Sequence, residues 1–372
     1  MNTENERKGY RVQIPHYKIF VHPIDFRDLR KDIWIDAPVM AKMTIDKKKY
    51  EIDLAYRGSH IREFPKKSYH LSFYKPPLFR GVKEVHLNAE YKDPSFIRNK
   101  LSFDFFEAIG CLSPKSEFVF LTINGKKEGV YLQLESVDEY FLTSRSLPKG
   151  AIYYAIDGDA NFSLMSDIDQ DVKKSLMAGY ERKVGMETDD AFLQAFIMKI
   201  NTIPREEFEQ EIQKMLQVDK YLRWLAGVVC TQNFDGFVHN YALYRNAETG
   251  LFEVIPWDYD ATWGRDIDGI VMEEDYVRIE GFNTLTARIL DVPEFRKQYK
   301  KLLEDILENV FNEAFLKPKI EEMQDAIRPY LAQDPYRNQQ MHMFDEELAF
   351  ICQFIKDRGD YIRSQLGNLE GA

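Results

Sequence analysis

The sequence predicts an α+β protein of two lobes, a β-rich first lobe over residues 10–141 and a mainly helical second lobe over residues 142–372. Short alternating runs separated by turn signals dominate the first third of the chain. From about Pro148 onward, longer segments with apolar residues at helical spacing take over. Within the second lobe lies Thr231–Gly264, where an expected hairpin has acids at both of its ends.

In chain order, Met1–Gly9 is polar and expected to be mobile. Met40–Ile45 and Tyr50–Tyr56 read as strands paired across an Asp46–Lys49 turn. Lys67–Tyr74 follows as a strand, with Lys67, Tyr69, Leu71 and Phe73 on one face and Ser68, His70 and Ser72 on the other. That alternation aims Lys67 at the core or cleft and Lys66 away from it, unless a bulge near Pro65 shifts the register. One helix is expected in this lobe, about Pro94–Ile109, with Ile97, Leu101, Phe105 and Ala108 at helical spacing and Gly110 as a C-cap. Phe118–Ile123 and Gly129–Leu134 form a hairpin around the turn signal Asn124-Gly125.

The second lobe opens with amphipathic Ala191–Ile200, then Arg205–Leu216, then Val218–Cys230 with Asp219 as its expected N-cap. Tyr241–Tyr244 and Leu251–Ile255 are strand-like around an Asn246–Gly250 turn. An acidic, irregular segment, Asp266–Asp275, precedes four helical patterns, Thr284–Leu290, Glu294–Phe311, Lys317–Leu331 and Asp345–Leu366. The cleft between two such lobes is a natural ligand site.

Composition narrows the function. A formal charge of −11 disfavours nucleic-acid binding, which needs a basic face, and suits a basic partner. Cys111, Cys230 and Cys352 are odd in number and widely spaced, as free thiols in a reducing compartment would be. No apolar h-region follows the first charges and no apolar run approaches bilayer length, so a soluble cytoplasmic protein without a membrane anchor is expected. No zinc spacing, P-loop, GxGxxG or GxSxG motif is present.

The chemistry concentrates in Thr231–Gly264. A hairpin folds its ends together, so Asp235 and Asn240 before it can converge with Asp258 and Asp260 after it, a set of oxygen ligands suited to Mg²⁺ or Mn²⁺. Protein kinases place a metal-binding asparagine five positions after the base aspartate, and Asp235 to Asn240 is the same step. Asp258 stands where the second metal-binding aspartate is expected, behind a hairpin. Trp257, Tyr259 and Trp263 put these acids in an apolar setting, which a merely solvated turn would not need. Between Arg57 and Lys83 the charges are mostly basic; Lys66 or Lys67, with Arg57 in the turn Arg57-Gly58-Ser59-His60, is suited to phosphates. Asp104 or Glu107 is the candidate acid partner of that lysine.

Five stretches resemble the CotH-type atypical kinases: Tyr56–Tyr74, Arg98–Gly110, Glu128–Leu142, Asn233–Tyr244 and Val254–Gly264, spread over roughly residues 19–366. The resemblance implies a diverged protein-kinase-like fold with ATP and a divalent metal in the cleft, phosphorylating serines of Ser/Lys/Arg-rich spore coat proteins of the CotB and CotG kind. It puts the catalytic aspartate on Asp235, the metal ligands on Asn240 and Asp258 with Asp260 in reserve, and the KK-x-Y strand on Lys66 and Lys67. The family's G-x-Y-x-x-x-E strand falls on Gly129, Tyr131 and Glu135, so Glu135 joins the nucleotide-binding set and adenine is expected just after it. Action in the mother-cell cytoplasm and association with the spore coat are implied too. A non-catalytic nucleotide-binding scaffold, or an ATP-dependent transferase such as a nucleotidylating enzyme, remains the alternative.

Overall fold

Alternating side chains close the first lobe into a barrel. The computed structural model describes residues 13–370, so the mobile segment expected over Met1–Gly9 lies outside the described residues. Seven strands, β1 (His16–Val21), β2 (Val39–Ile45), β3 (Lys48–Tyr56), β4 (Tyr69–Lys75), β5 (Glu84–Asn88), β6 (Ser116–Ile123) and β7 (Lys126–Glu135), run in the spatial order β1-β2-β3-β4-β5-β7-β6. Parallel pairing of β6 with β1 closes the ring, which leaves no strand edge free. The β2–β3 and β6–β7 turns each use two residues at positive φ, Asp46 and Lys47 in one, Asn124 and Gly125 in the other.

Two helices accompany these strands, α1 (Pro23–Lys31) and α2 (Arg98–Ala108). Only α2 was legible in the sequence, because α1 buries a single side chain, Leu29, and so carries no apolar stripe. The barrel is packed with inward residues such as Tyr17, Ile19, Met43, Ile52, Leu54, Leu71, Val119 and Tyr131. Phe118, Phe120, Val130 and Leu132 point the opposite way, into the larger core shared with α2 and the rest of the chain. Strands β6 and β7 are thus buried on both faces and join the two halves.

Beyond the barrel come α3 (Glu139–Ser144), β8 (Gly150–Ala155), β9 (Tyr180–Val184), α4 (Asp190–Thr202), α5 (Arg205–Ile212) and α6 (Val218–Thr231). They are followed by β10 (Tyr241–Asn246), β11 (Phe252–Pro256), α7 (Thr284–Asp291), α8 (Pro293–Asn309), α9 (Glu313–Leu331) and α10 (Met341–Gln365). The second half is therefore not helical throughout: β11-β10-β8-β9 form a four-stranded sheet. Strands β8 and β9 were missed because β8 is buried almost continuously and β9 carries Glu181, Arg182 and Lys183 in succession, so neither shows apolar alternation in sequence. Among the described residues all three cysteines are unpaired, and no helix is long and apolar enough to cross a membrane.

Candidate functional site

The β10–β11 hairpin builds the centre of the site. Tyr241 pairs with Pro256, so Asn240 and Trp257 are the next residues outward, joined by a Trp257 N–H to Asn240 carbonyl bond of 3.0 Å. Asn240 and Asp258 both stand at φ +58, a left-handed conformation that is unusual for a side-chain-bearing residue and accumulates at functional sites. Asp235 begins a short 3₁₀ turn after α6, and His239 Nε2 lies 3.7 Å from its carboxylate. Phe237, Tyr259 and Trp263 are buried beneath these residues and hold the loops to the core.

Asp235, Asn240, Asp258 and Asp260 all line one cavity of about 390 Å³, within the range of roughly 300–1,000 Å³ usual for small-molecule sites. The turn Arg57-Gly58-Ser59-His60, Lys66, Asn88 and Glu90 line it from the barrel side. Arg57 donates to Asn88 Oδ1, and its guanidinium lies 5.8 Å from the Trp257 ring centroid. The structure thus brings six of the eight site residues together and leaves out Lys67 and Glu135. Glu135 is held in an ion pair with Arg145 at 2.8 Å and lines a different cavity, with Arg80 and Gln133. Lys67 donates to the Arg62 carbonyl instead of facing the cleft.

The two lysines exchange the orientations expected from alternation. Strand β4 begins only at Tyr69, so Lys66 and Lys67 precede the pleat and its alternation does not reach them. Lys66 is the buried one: its ammonium meets Asp334 Oδ2 at 2.9 Å, with neither side chain exposed. That partner corrects the expectation of Asp104 or Glu107, since Asp104 pairs with Lys100 on its own helix and Glu107 is exposed. Asp334 also accepts the Val130 N–H at 3.0 Å and presses against Gly129. A Cβ at Gly129, whose φ is +98, would fall 1.9 Å from Asp334 Oδ2, so only glycine leaves room for this carboxylate.

Helix α2 positions the acids through two side chains. Arg98, fully buried, donates to the Thr262 carbonyl at 2.9 Å, to Glu347 on α10 at 2.6 Å, and to Asp93. Asn99 Oδ1 accepts the Tyr259 N–H at 3.0 Å, and its amide donates to Glu90 Oε1 at 3.2 Å. The Asp258–Asp260 turn is therefore clamped to the first lobe.

Electrostatics in the cavity favour a cation. Burial, then the charges of Asp258 and Asp93, push Asp260 up to about 8. Burial, then Asp260 and Asp93, also raise Glu90 well above the usual carboxylate range. Among the described residues no three His, Cys, Asp or Glu side chains form a group that could hold a metal ion by themselves. Mg²⁺ takes one or two carboxylates and draws the rest of its shell from water and phosphate. Asn240, Asp258 and Asp260 are the oxygen donors that fit it, and the unpartnered Glu90 Oε2 marks the same wall as short of positive charge.

Asp334, Asn99 and Glu90 were not foreseen. Asp334 lies 268 positions from Lys66, and a buried acid reads like a solvated one in sequence. Glu90 follows β5, a strand not expected from the sequence, so nothing marked it out. A second cavity, about 430 Å³ between α5 and α7, has its arginines engaged: Arg205 with Asp291, and Arg288 with the Ile203 carbonyl.

Comparison with known proteins follows the same residues. The family model described as CotH kinase protein matches residues 54–362, which contain every acid that lines the cavity. The chain is 61% identical to inner spore coat protein H of Bacillus subtilis (strain 168), over 96% of this chain and 98% of that one. It is 30% identical to an inner spore coat protein H-like protein of the same organism, over 82% of this chain and 87% of that one. The crystal structure of the Helicobacter pylori proinflammatory kinase CtkA aligns at 12% identity and a TM-score of 0.30, over 88% of this chain and 92% of that one.

Proposed function

The chain belongs to the CotH kinase protein family, and on that footing we propose that it is an ATP-dependent serine protein kinase of spore coat assembly. The observation that carries this is the convergence of Asp235, Asn240, Asp258 and Asp260 with Arg57 on one cavity between the barrel and the second half. Asp235 accepts the proton of the substrate serine as its oxygen bonds to the γ-phosphorus and the bond to the β,γ-bridging oxygen breaks. Asn240 and Asp258, with Asp260, are the residues that would hold Mg²⁺ or Mn²⁺. When bound, such a cation neutralises the charge building on the transferred phosphoryl group. Arg57 adds a fixed positive charge from the barrel side. Lys66 has its ammonium closed on Asp334, so its part is to brace the wall on which the phosphates rest.

The names of the Bacillus subtilis relatives support a place in the spore coat; we extend this to action from the mother-cell cytoplasm on basic serine-rich coat proteins of the CotB and CotG kind. The acidic segment after Trp263 supports a basic substrate. Gln232, three residues before Asp235, donates to the Glu273 carbonyl at 2.7 Å, so exposed Glu273, Glu274 and Asp275 are held beside the catalytic loop. Changing these three acids to lysine is expected to raise KM for a Ser/Lys/Arg-rich peptide by about tenfold and to weaken its salt dependence. An unchanged KM would remove the docking role.

Transfer from γ-labelled ATP to such a peptide, with Mg²⁺ or Mn²⁺, tests the activity itself. Label arriving from α-labelled ATP would instead indicate nucleotidyl transfer. Asp235→Asn is expected to lower kcat by about 10²–10⁴-fold while leaving the affinity for a non-hydrolysable ATP analogue unchanged. A parallel loss of analogue binding would move Asp235 from proton acceptor to binding residue.

A further inference from the structure

Glu90 has no role in the chemistry derived above, yet it lines the cavity in which that chemistry converges. It follows β5 at φ +47, a strained setting for a glutamate, and is only 6% exposed. One carboxylate oxygen, Oε1, accepts from Asn99; the other, Oε2, is buried with no hydrogen-bond partner. Buried polar atoms almost always have partners, and an orphaned carboxylate oxygen is especially costly. The cations lining the same cavity spend their hydrogen bonds elsewhere: Arg57 on Asn88, Lys66 on Asp334 and Lys92 on Asp268. Asn99 meanwhile links Glu90 to the Asp258–Asp260 turn, since its two ends bond Glu90 and the Tyr259 N–H. Side chains from α2 thus hold an unpartnered oxygen in register with the acids of the hairpin.

We propose that Glu90 is a cation ligand of the cleft, supplying from the barrel side an oxygen for a hard divalent cation that enters with the nucleotide phosphates, which presupposes that the cleft is a metal–nucleotide site. Phosphate and water oxygens complete the shell. In this arrangement the barrel contributes one acid, Glu90, and the hairpin one, Asp258, so the cation ties together the two halves that bound the cleft. Asn99 is a positioning residue that keeps both sides in register.

The test compares the wild-type chain with E90Q, E90D and D258N, using Mn²⁺ with a non-hydrolysable ATP analogue. Bound Mn²⁺ is counted by electron paramagnetic resonance, and melting is followed with and without the metal. E90Q is isosteric, keeps the Asn99 bond through its carbonyl, and replaces the orphaned oxygen with an amide. It is expected to melt at or above the wild-type temperature without metal, to bind Mn²⁺ at least tenfold more weakly, and to lose at least half of the metal-dependent melting shift. E90D is expected to bind Mn²⁺ with intermediate affinity. Wild-type Mn²⁺ affinity in E90Q while D258N loses it would overturn the role of Glu90 and leave the metal–nucleotide site standing. A lowered metal-free melting temperature in E90Q with an intact Mn²⁺ response would make Glu90 structural and overturn the proposal. No metal-dependent shift in the wild-type chain would overturn both.

Discussion

Replacing Asp258 with alanine is expected to reduce phosphoryl transfer by at least about 10³-fold while the protein stays folded. Loss of a metal ligand removes several kcal/mol of charge stabilisation in the transition state, and each ~1.4 kcal/mol is a factor of ten. The fold should tolerate the change. Asp258 is half-buried in the cleft and sits next to Asp260, whose pKa its charge raises. Alanine accepts the φ of +58 less readily than aspartate, but relief of that repulsion should offset this cost, so the melting temperature without metal is expected to hold. Label transfer from γ-labelled ATP and a thermal melt, run on the same preparation, check both halves. Equal incorporation by the variant and the wild-type chain would remove Asp258 from the chemistry.

The second large effect is on stability. Asp334→Ala leaves the Lys66 ammonium buried and unpaired and strips the Val130 N–H of its acceptor. Breaking a buried ion pair from one side costs about 3–5 kcal/mol, and urea unfolding should register a loss of that size. The double change Lys66→Met with Asp334→Leu is expected to recover most of it, because neither charge then needs a partner. If Asp334→Ala instead unfolded like the wild-type chain, the pair would contribute nothing to stability. Lys66 could then be swinging out to meet phosphate. Measuring the affinity for an ATP analogue in both variants separates these roles, since bracing predicts a stability change larger than the affinity change.

Particular residues show why some of the architecture could be read in advance. Asn124-Gly125 announced the β6–β7 hairpin because few residue pairs accept positive φ at both positions. The helical stripe of Leu101 and Phe105 announced α2 because those side chains enter the main core. Helix α1 carried no such stripe, and β8 and β9 showed no apolar alternation, so they stayed silent. Closure of the barrel was equally hidden, since β1 finds its parallel partner β6 across more than a hundred intervening positions. The same limit governed the lysines. Their alternation assumed a strand from Lys67, whereas pairing with β3 and β5 begins at Tyr69.

The candidate site divides along the same line. Asp235, Asn240, Asp258 and Asp260 are close in sequence around one hairpin, and local backbone geometry is enough to bring them together. Their convergence on one cavity was therefore legible from the chain alone, as was the basic turn at Arg57 that joins them. Which acid answers Lys66, which of two adjacent lysines is buried, and that Glu135 stands away from the cleft depend on contacts between distant segments. Burial decides them: an aspartate at position 334 is unremarkable until Gly129 and Val130 close over it. Local periodicity and turn chemistry act over a few residues and leave a trace in sequence. Desolvation acts on whatever the fold brings together, and it becomes visible only in three dimensions.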